Sequence, residues 1–335
     1  MATYLGTHGS RIQNYTTDPD NPNTGEVWYN STANTIRVEA VTSAGSWATG
    51  GNLNLGREQN TGISVGTKTA GLLFGGDNPS PGGTVNTEKY NGTAWTEVNN
   101  MNTSRRAGAG YGTQSSAMSG ASFAGNTGET NKTETFNGTN WTEIANLNAA
   151  RAYGAGAGAD NSSGIFFGGN NGSNNVAINE SYNGSNWTEV ADLNQARTQL
   201  VGVGTATSAL GIGGFLNTGG SPEYFAGNES WNGTSWTEVG DLNTGRFALG
   251  GAGADSTSAL AYGGTNASLQ TLTELWNGSA WTETTDMATA RSAAGSSGTA
   301  TAALYSGGSN PSGKVVTTEE FTGAGAPQVR TITTD

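Results

Sequence analysis

The sequence predicts an all-β protein built from repeated four-stranded sheets, and three observations lead to this prediction. An arginine recurs at intervals of 45 to 49 residues, and a glutamate follows each arginine 28 to 32 residues later. A tryptophan follows six of the seven glutamates. Asn-Gly pairs and short apolar segments recur at the same interval. A fixed period in this range is typical of repeat architectures.

Three residue types define the repeat. The arginines are Arg11, Arg57, Arg105, Arg151, Arg197, Arg246 and Arg291. The glutamates are Glu39, Glu88, Glu134, Glu180, Glu229, Glu274 and Glu319. The tryptophans are Trp47, Trp95, Trp141, Trp187, Trp236 and Trp281. We expect each tryptophan to pack between neighbouring sheets rather than to serve as a sugar-stacking platform. We expect the arginines and glutamates to pair with each other or with loop amides rather than to line a channel, since buried charges are tolerated mainly when paired.

Residues 151–194 show the elements of one repeat in order. The first strand follows Arg151 and contains only alanine, glycine and one tyrosine, which suits a crowded position where backbones approach closely. The second strand is apolar and ends at Gly168-Gly169, a pair that permits positive φ. The third strand begins at Asn179, and Asn183-Gly184 then favours a type I′ turn. The fourth strand begins at Trp187 and alternates with a period of two.

Stacking such sheets radially around an axis covers both faces of each sheet, so the repeats predict a β-propeller. Counting both chain ends gives seven four-stranded blades in a single domain spanning residues 1–335. Residues 1–50 then form a degenerate first blade, and residues 51–335 form the regular repeats. The alternative is six blades, in which Trp47 supplies the missing outer strand and residues 1–40 form a separate attachment arm.

The repeat resembles the Kelch repeat, which also has a double glycine after an apolar strand, then Glu-x-aromatic, a turn, a tryptophan and an arginine. The double glycines begin at Gly75, Gly168, Gly213, Gly263 and Gly307, and one copy is weakened to Ala124-Gly125. Two sequence motifs resemble Kelch-like virion proteins of marine tailed phages, cyanophages among them. They are Asn-Gly-Thr-x-Trp-Thr-Glu and, from Gly25, Gly-Glu-Val-Trp-Tyr-Asn-Ser-Thr. The resemblance implies a Kelch-type β-propeller in a virion.

Composition argues against several function classes. The net charge is −12 with 14 basic residues and no basic run, so we expect no nucleic-acid partner. The chain has no cysteine and a single histidine, His8, so we expect no metal, no cofactor and no enzymatic activity. No apolar run approaches 18 residues and no secretory signal is visible, so we expect neither a membrane span nor export.

Candidate binding residues lie where the repeat is broken. The segment between Gly214 and Glu229 is the longest of its kind and carries Phe215, Tyr224 and Phe225, which have no counterparts in the other repeats. Asp77 and Asn78 begin the equivalent segment of an earlier repeat. Insertions of this kind usually lie on one face of a repeat protein, often the binding face, although plain connecting loops would look the same.

The sequence therefore favours a non-enzymatic structural or interaction protein of a tailed phage virion, in the tail, a fibre or the capsid surface. We expect its partners to be other virion proteins and a host surface glycan or receptor, and the chain is compatible with an oligomer. One alternative is a carbohydrate-binding, receptor-recognition module. Another is a cytoplasmic Kelch scaffold for protein partners. The fold alone does not choose among these functions.

Overall fold

The computed structural model describes residues 12–19, 26–41, 45–59, 61–62, 67–78, 82–218, 221–324 and 327–332. The described residues form strands and turns without a helix, which confirms the predicted all-β class. Accordingly, none of them belongs to a helix that could cross a membrane. Contacts divide the chain into two compact units, Met1–Gly45 with Gly323–Asp335, and Ser46–Thr322. Arg11 and His8 lie outside the described residues.

The smaller unit begins with β1 (Gln13–Tyr15), β2 (Val27–Asn30) and β3 (Thr35–Val41). β1 pairs with β2 in parallel, and β2 pairs with β3 in antiparallel fashion. Trp28 on β2 is buried, and its indole Nε1 donates a hydrogen bond of 3.0 Å to Asp18 Oδ1. The Asp18 carboxylate also accepts from the Asn30 amide, and this bond is the largest cause of a lowered pKa at Asp18.

The larger unit begins with β4 (Ser46–Thr49) and contains six sheets of four strands each. Sheet 1 consists of β5 (Thr61–Gly62), β6 (Leu72–Phe74), β7 (Thr87–Tyr90) and β8 (Trp95–Val98). After β9 (Arg105–Arg106) come β10 (Ala109–Thr113), β11 (Ser116–Gly120), β12 (Ser122–Ala124), β13 (Glu129–Thr130), β14 (Glu134–Phe136) and β15 (Trp141–Glu143). Sheet 2 has the order β10-β11-β14-β15, and β13-β12-β9 form a small side sheet.

Sheets 3 to 5 follow in the same way. Sheet 3 consists of β16 (Ala155–Asp160), β17 (Ser163–Phe167), β18 (Asn179–Tyr182) and β19 (Trp187–Val190). Next come β20 (Val201–Gly204), β21 (Ala209–Ile212), β22 (Phe215–Thr218), β23 (Ser221–Tyr224), β24 (Asn228–Trp231) and β25 (Trp236–Val239), of which β22 and β23 form a hairpin beside sheet 4. Sheet 5 consists of β26 (Gly250–Asp255), β27 (Ser258–Tyr262), β28 (Thr273–Trp276) and β29 (Trp281–Glu283).

The last strands are β30 (Gly295–Thr299), β31 (Ala302–Ser306), β32 (Ser309–Asn310), β33 (Gly313–Lys314), β34 (Thr318–Thr322) and β35 (Pro327–Ile332). Sheet 6 has the order β30-β31-β34-β4, so its outer strand comes from the beginning of the larger unit. β35 instead pairs with β3 in the sheet of the smaller unit. The seven-blade prediction had instead placed residues 46–49 in the first blade and residues 327–332 in the last.

A tryptophan explains why β4, and not β35, completes sheet 6. Trp47 lies opposite Phe321, with their ring centroids 5.2 Å apart. Its Nε1 donates to Thr273 Oγ1 of sheet 5 over 3.1 Å. Trp141 makes the same kind of bond to Thr87 of the preceding sheet, over 3.0 Å. The outer strand therefore needs a tryptophan that packs against the sheet before it, and β35 carries none.

The first strand of each sheet is crowded, as its alanines and glycines predict. These strands lie next to one another in chain order, and both β10 and β30 lie next to β5. A Cβ atom placed on Gly202 would be 2.6 Å from the carbonyl oxygen of Gly156 in the preceding sheet. Such a distance excludes a side chain, so the close approach of these strands depends on glycine.

Each of the six periodic arginines from Arg57 to Arg291 is buried and paired with the glutamate of its own repeat. In the third repeat, Arg151 Nη1 lies 2.5 Å from Glu180 Oε1, and both side chains are excluded from solvent. Glu180 also accepts from the backbone N–H of Asn148 and from its side-chain amide, over 2.6 and 2.8 Å. Arg151 Nη2 donates to the Phe166 carbonyl over 3.0 Å. The pair therefore fastens the segment that precedes a sheet to two strands of that sheet.

The same pair forms in the other five repeats. The pairs are Arg57–Glu88, Arg105–Glu134, Arg197–Glu229, Arg246–Glu274 and Arg291–Glu319. In the first five sheets the glutamate also accepts from the backbone N–H of the asparagine three residues before the arginine, and in sheet 6 Ala288 donates instead. All six arginines are buried completely.

Neighbouring sheets share a second set of bonds. A backbone N–H in the segment before each sheet donates to a carbonyl of the preceding sheet over 2.8 to 3.0 Å. The donor and acceptor residues are Met101 and Val85, Leu147 and Asn131, Leu193 and Ala177, Leu242 and Ala226, Met287 and Thr271, and Leu53 and Val316. In the last pair, Leu53 lies in the segment between β4 of sheet 6 and sheet 1, and Val316 precedes β34 of sheet 6, so this bond repeats the arrangement of the other five.

The Asn-Gly turns differ from the expected type I′ turn. In the third repeat the register pairs Tyr182 with Trp187, so four residues connect the strands. Gly184 has a φ of 92°, whereas Asn183 does not have a positive φ. The Asn183 side chain instead accepts from the backbone N–H groups of Ser185 and Asn186, over 3.0 and 2.9 Å. Asparagine therefore acts here as a side-chain acceptor that organises a longer loop.

Replacing Arg151 with methionine should lower the free energy of unfolding by about 3–5 kcal/mol, because Glu180 would remain buried without its partner. Denaturant unfolding measures this loss. Lys132→Met is the matched control, since Lys132 and Glu143 form a pair 3.3 Å apart in which each side chain is 48% exposed. Its cost should stay below about 1 kcal/mol. Equal costs for the two variants would contradict a special role for the buried pair.

Two truncations test the strand that completes sheet 6. A protein of residues 46–324 keeps β4 and should unfold cooperatively on heating, followed by circular dichroism. A protein of residues 51–324 loses β4, which leaves β34 as an open edge and uncovers Phe321 and Tyr262 where Trp47 packs. We expect it to aggregate or to lose its cooperative transition. Cooperative melting of both proteins at the same temperature would show that β4 is dispensable.

Candidate functional site

The residue two positions after each of the six periodic arginines in the larger unit has an unusual backbone conformation. These six residues, which we call the rim residues, have φ values between 50° and 57°. They are Gln59, Ala107, Tyr153, Gln199, Ala248 and Ala293. Glycine adopts this conformation with the least strain, and other residues pay a penalty of about 1–2 kcal/mol. None of the six is glycine in a chain that has 54 glycines.

Backbone hydrogen bonds connect successive rim residues. The N–H of Ala107 donates to the carbonyl of Gln59 over 3.0 Å, and the N–H of Tyr153 donates to Ala107 over 2.7 Å. The same bond joins Gln199 to Tyr153, Ala248 to Gln199 and Ala293 to Ala248, over 2.8, 2.9 and 2.8 Å. Five bonds therefore link the six rim residues in chain order and fix their strained conformation.

All six rim residues line a cavity of about 110 Å³. The other described lining residues come from the starts of the first strands or directly precede them, and most are glycine or alanine, together with Leu200, Val201, Leu249 and Ser296. Gln59, Tyr153 and Gln199 supply the long polar side chains, and each is half-buried. Burial raises the pKa of the Tyr153 hydroxyl, and Arg106 opposes this shift. The side chains of the described lining residues carry no formal charge at neutral pH.

An aromatic and cationic cluster adjoins the rim at Tyr153. The rings of Tyr153 and Phe123 meet edge to face with their centroids 5.4 Å apart. The Arg106 guanidinium lies 4.6 Å from the Phe123 ring centroid. All three side chains are half-buried. Aromatic rings beside an arginine can contact a partner over a large area at low entropic cost.

The segment predicted to be a binding loop is a hairpin. Phe215 on β22 lies opposite Tyr224 on β23. Phe215 exchanges backbone hydrogen bonds with Thr198, the residue before the rim residue Gln199, so the hairpin starts at the rim. The Tyr224 ring stacks on Phe247 with a centroid distance of 5.9 Å, and the Phe215 ring meets Phe247 at 5.2 Å. Phe215, Tyr224 and Phe247 form a half-buried aromatic cluster, which we call the hairpin cluster.

Phe225 points away from this cluster. Its ring centroid lies 5.3 Å from the guanidinium carbon of buried Arg197. Together with Glu229, Glu238 and Asp241 it lines a second cavity, of about 210 Å³. Burial lowers the pKa of Arg197, and the Glu229 carboxylate opposes this shift. Phe225 therefore covers a structural ion pair.

Asp77 and Asn78 are engaged in contacts with sheet 6. The Lys314 ammonium donates to Asp77 Oδ2 over 3.0 Å and to the Asn78 carbonyl over 2.6 Å. It also lies 3.8 Å from a Glu58 carboxylate oxygen. Asp77 and Glu58 in turn exchange backbone hydrogen bonds of 2.6 and 2.9 Å. These contacts join the first and last sheets beside the rim residue Gln59.

The structure thus brings the sequence-predicted Phe215 and Tyr224 to the rim, and it places Phe225, Asp77 and Asn78 in packing and ion-pair contacts. Gln59, Tyr153 and Gln199 were not predicted as site residues from the sequence. A fixed offset of two residues from each periodic arginine was the available signal. Among the described residues, no three or more histidine, aspartate or glutamate side chains group together in a way that could hold a metal ion.

Comparison with known proteins gives no relative: the chain matches no protein-family model, and no curated protein matches its sequence.

Two adjacent aromatic residues should respond differently to substitution. Phe225→Ser should lower the free energy of unfolding by about 1–3 kcal/mol, because it uncovers the Arg197–Glu229 pair. Tyr224→Ser removes one half-exposed ring contact and should cost about 0.5–1.5 kcal/mol. Glu223→Ser, an exposed position on the same strand, is the control and should change stability by less than about 0.5 kcal/mol. Denaturant unfolding checks all three, and a larger loss for Tyr224→Ser would reverse the assignment.

Proposed function

We propose that the larger unit is a six-bladed, closed β-propeller of the Kelch type. Three findings support this architecture. Sheet 6 takes its outer strand from β4, and the bond between Leu53 and Val316 repeats between sheets 6 and 1 the bond found between all other neighbours. The 110 Å³ cavity is lined by residues of all six repeats of the larger unit. The buried Arg–Glu pair and the double glycines agree with the Kelch resemblance.

We further propose that this propeller is a recognition protein on the particle of a tailed phage, in which one rim contacts a host surface molecule or another virion protein. A single observation carries the proposal. The residues that depart from the repeat gather around the rim residues, whereas the periodic ones are buried between and within sheets. Binding residues are typically found on such variable segments of a rigid scaffold.

The position of each departing residue supports this. Arg106 precedes the rim residue Ala107, and Phe247 precedes Ala248. Phe123 contacts the rim residue Tyr153. Phe215 pairs with Thr198 next to Gln199, and Tyr224 stacks on Phe247. The aromatic residues are half-buried, which leaves part of each ring for a partner.

The assignment to a phage particle rests on the sequence motifs of the repeats and of the Gly25–Thr32 segment. Such a protein would function by contact and would perform no chemistry. A polar, weakly charged surface also suits a particle exposed to sea water, where surface charge is heavily screened. The smaller unit, with its own four-stranded sheet, would supply the attachment to the particle.

Mass spectrometry of purified particles of the phage that encodes this chain should detect it. Trypsin should release residues 152–197 as one peptide, because Arg151 and Arg197 flank a stretch without other basic residues.

Isolated protein should also compete with particles for host cells, and Arg106→Ser with Tyr224→Ser should weaken that competition about tenfold or more. The control is Lys132→Ser with Glu189→Ser, at exposed sites away from the rim. Detection only in lysates of infected cells would contradict a virion protein.

A further inference from the structure

We propose that the cavity inside the rim binds one uncharged sugar residue, the end of a neutral glycan, through Gln59, Tyr153 and Gln199. This inference rests on the proposed recognition function and assigns to it a ligand class and a site. The site differs from the Phe215–Phe225 segment that the sequence singled out.

The polar groups around the cavity fit a ligand that carries hydroxyl groups. A glutamine amide offers both donors and an acceptor, so Gln59 and Gln199 can each bond a hydroxyl in either direction. The Gln59 Oε1 atom is buried and accepts no hydrogen bond from the described residues. A buried acceptor without a partner costs free energy, which a ligand hydroxyl would recover.

The walls add backbone groups to these side chains. The first strand of each sheet is hydrogen-bonded to one strand only among the described residues, since it stands at the end of each sheet order. An edge strand presents a row of backbone N–H and C=O groups on its free side. In this unit the free sides border the cavity, so the walls can bond a sugar without any charged side chain.

Tyr153 supplies an aromatic surface at the opening. It is the one aromatic among the six rim residues, and its edge contact with Phe123 holds the ring in place. Aromatic rings provide large, rigid contact surfaces with a polar tip. Gln59 precedes sheet 1 and Gln199 precedes sheet 4, which stand three apart in the order of six. In the proposed six-bladed ring, the two residues therefore reach the cavity from different sides.

Size and charge restrict the ligand further. A volume of 110 Å³ holds several water molecules, or the outer part of one sugar ring, but not a longer chain. Among the described residues that line the cavity there is no lysine, arginine or acidic side chain. An anionic sugar would lose hydration there without an ionic partner, which is costly. The cavity therefore favours a neutral sugar over a sialylated or sulfated one.

The rim offers an internally matched set of variants. Alanine already occupies three of the six rim positions at the same φ, so Gln59→Ala, Tyr153→Ala and Gln199→Ala preserve the backbone. Gln195→Ala is the control, because alanine stands at the equivalent position in the preceding repeat, at Ala149, and Gln195 does not line the cavity. A melting curve for each variant establishes that it is folded.

The experiment uses saturation-transfer NMR and calorimetry on the whole chain with methyl glycosides of glucose, galactose, mannose and N-acetylglucosamine. We expect binding of at least one glycoside, a loss of about tenfold or more in each rim variant, and no change in Gln195→Ala. No binding by any glycoside, or binding that survives all three rim variants, would overturn the proposal. The methyl glycoside of sialic acid is titrated as the charged comparison, and binding confined to it would also overturn the proposal.

The failure of this site is distinguishable from failure of the proposed function. If no glycoside binds while Arg106→Ser with Tyr224→Ser still weakens competition for host cells, recognition stands and the sugar site falls. If the rim variants lose glycoside binding while the chain is missing from purified particles, the sugar site stands and the virion assignment falls.

Discussion

In the larger unit, the guanidinium of each periodic arginine lies in a position from which water is excluded, and the glutamate of the same repeat is its ionic partner. Removing two charges from water is expensive, and only additional hydrogen bonds make such a pair tolerable. Here the carboxylate of Glu180 accepts from Arg151 and twice from Asn148, and the guanidinium also donates to the Phe166 carbonyl. One pair thus fixes the segment that connects two sheets to the second of these sheets. Its repetition six times sets the geometry of the larger unit.

The rim depends directly on these pairs. Each rim residue stands two positions after a buried arginine, so the pair holds the backbone in a conformation that most residues avoid. The chain of hydrogen bonds from Gln59 to Ala293 then links the six positions. A surface held in this way changes little when side chains on it change. Arg106, Tyr153, Gln199 and Phe247 can therefore differ from repeat to repeat while the scaffold stays the same.

The residues that recur in every repeat were predictable from the sequence. The features that depart from the repeat were predictable only in part. The tryptophan, arginine and glutamate positions, the small first strands and the all-β class follow from a pattern that recurs with a fixed spacing. The partners of β4 and β35 did not follow, because they depend on where Trp47 finds a neighbouring sheet. The conformation at Tyr153 was hidden as well, since alanine, glutamine and tyrosine carry no local signal for a positive φ. Phe225 looked like part of a loop because its contact with Arg197 is 28 residues away in the chain.

The central claim is that the segment between sheets 6 and 1 is bonded like the segments between the other sheets. Hydrogen exchange measured by mass spectrometry at the six connecting segments tests this claim most directly. The amide of Leu53, bonded to Val316, should exchange as slowly as its equivalents at Met101, Leu147, Leu193, Leu242 and Met287. Equal protection follows if sheet 6 joins sheet 1 as the others join. Rapid exchange at Leu53 with slow exchange at the other five would show an open connection and contradict the account.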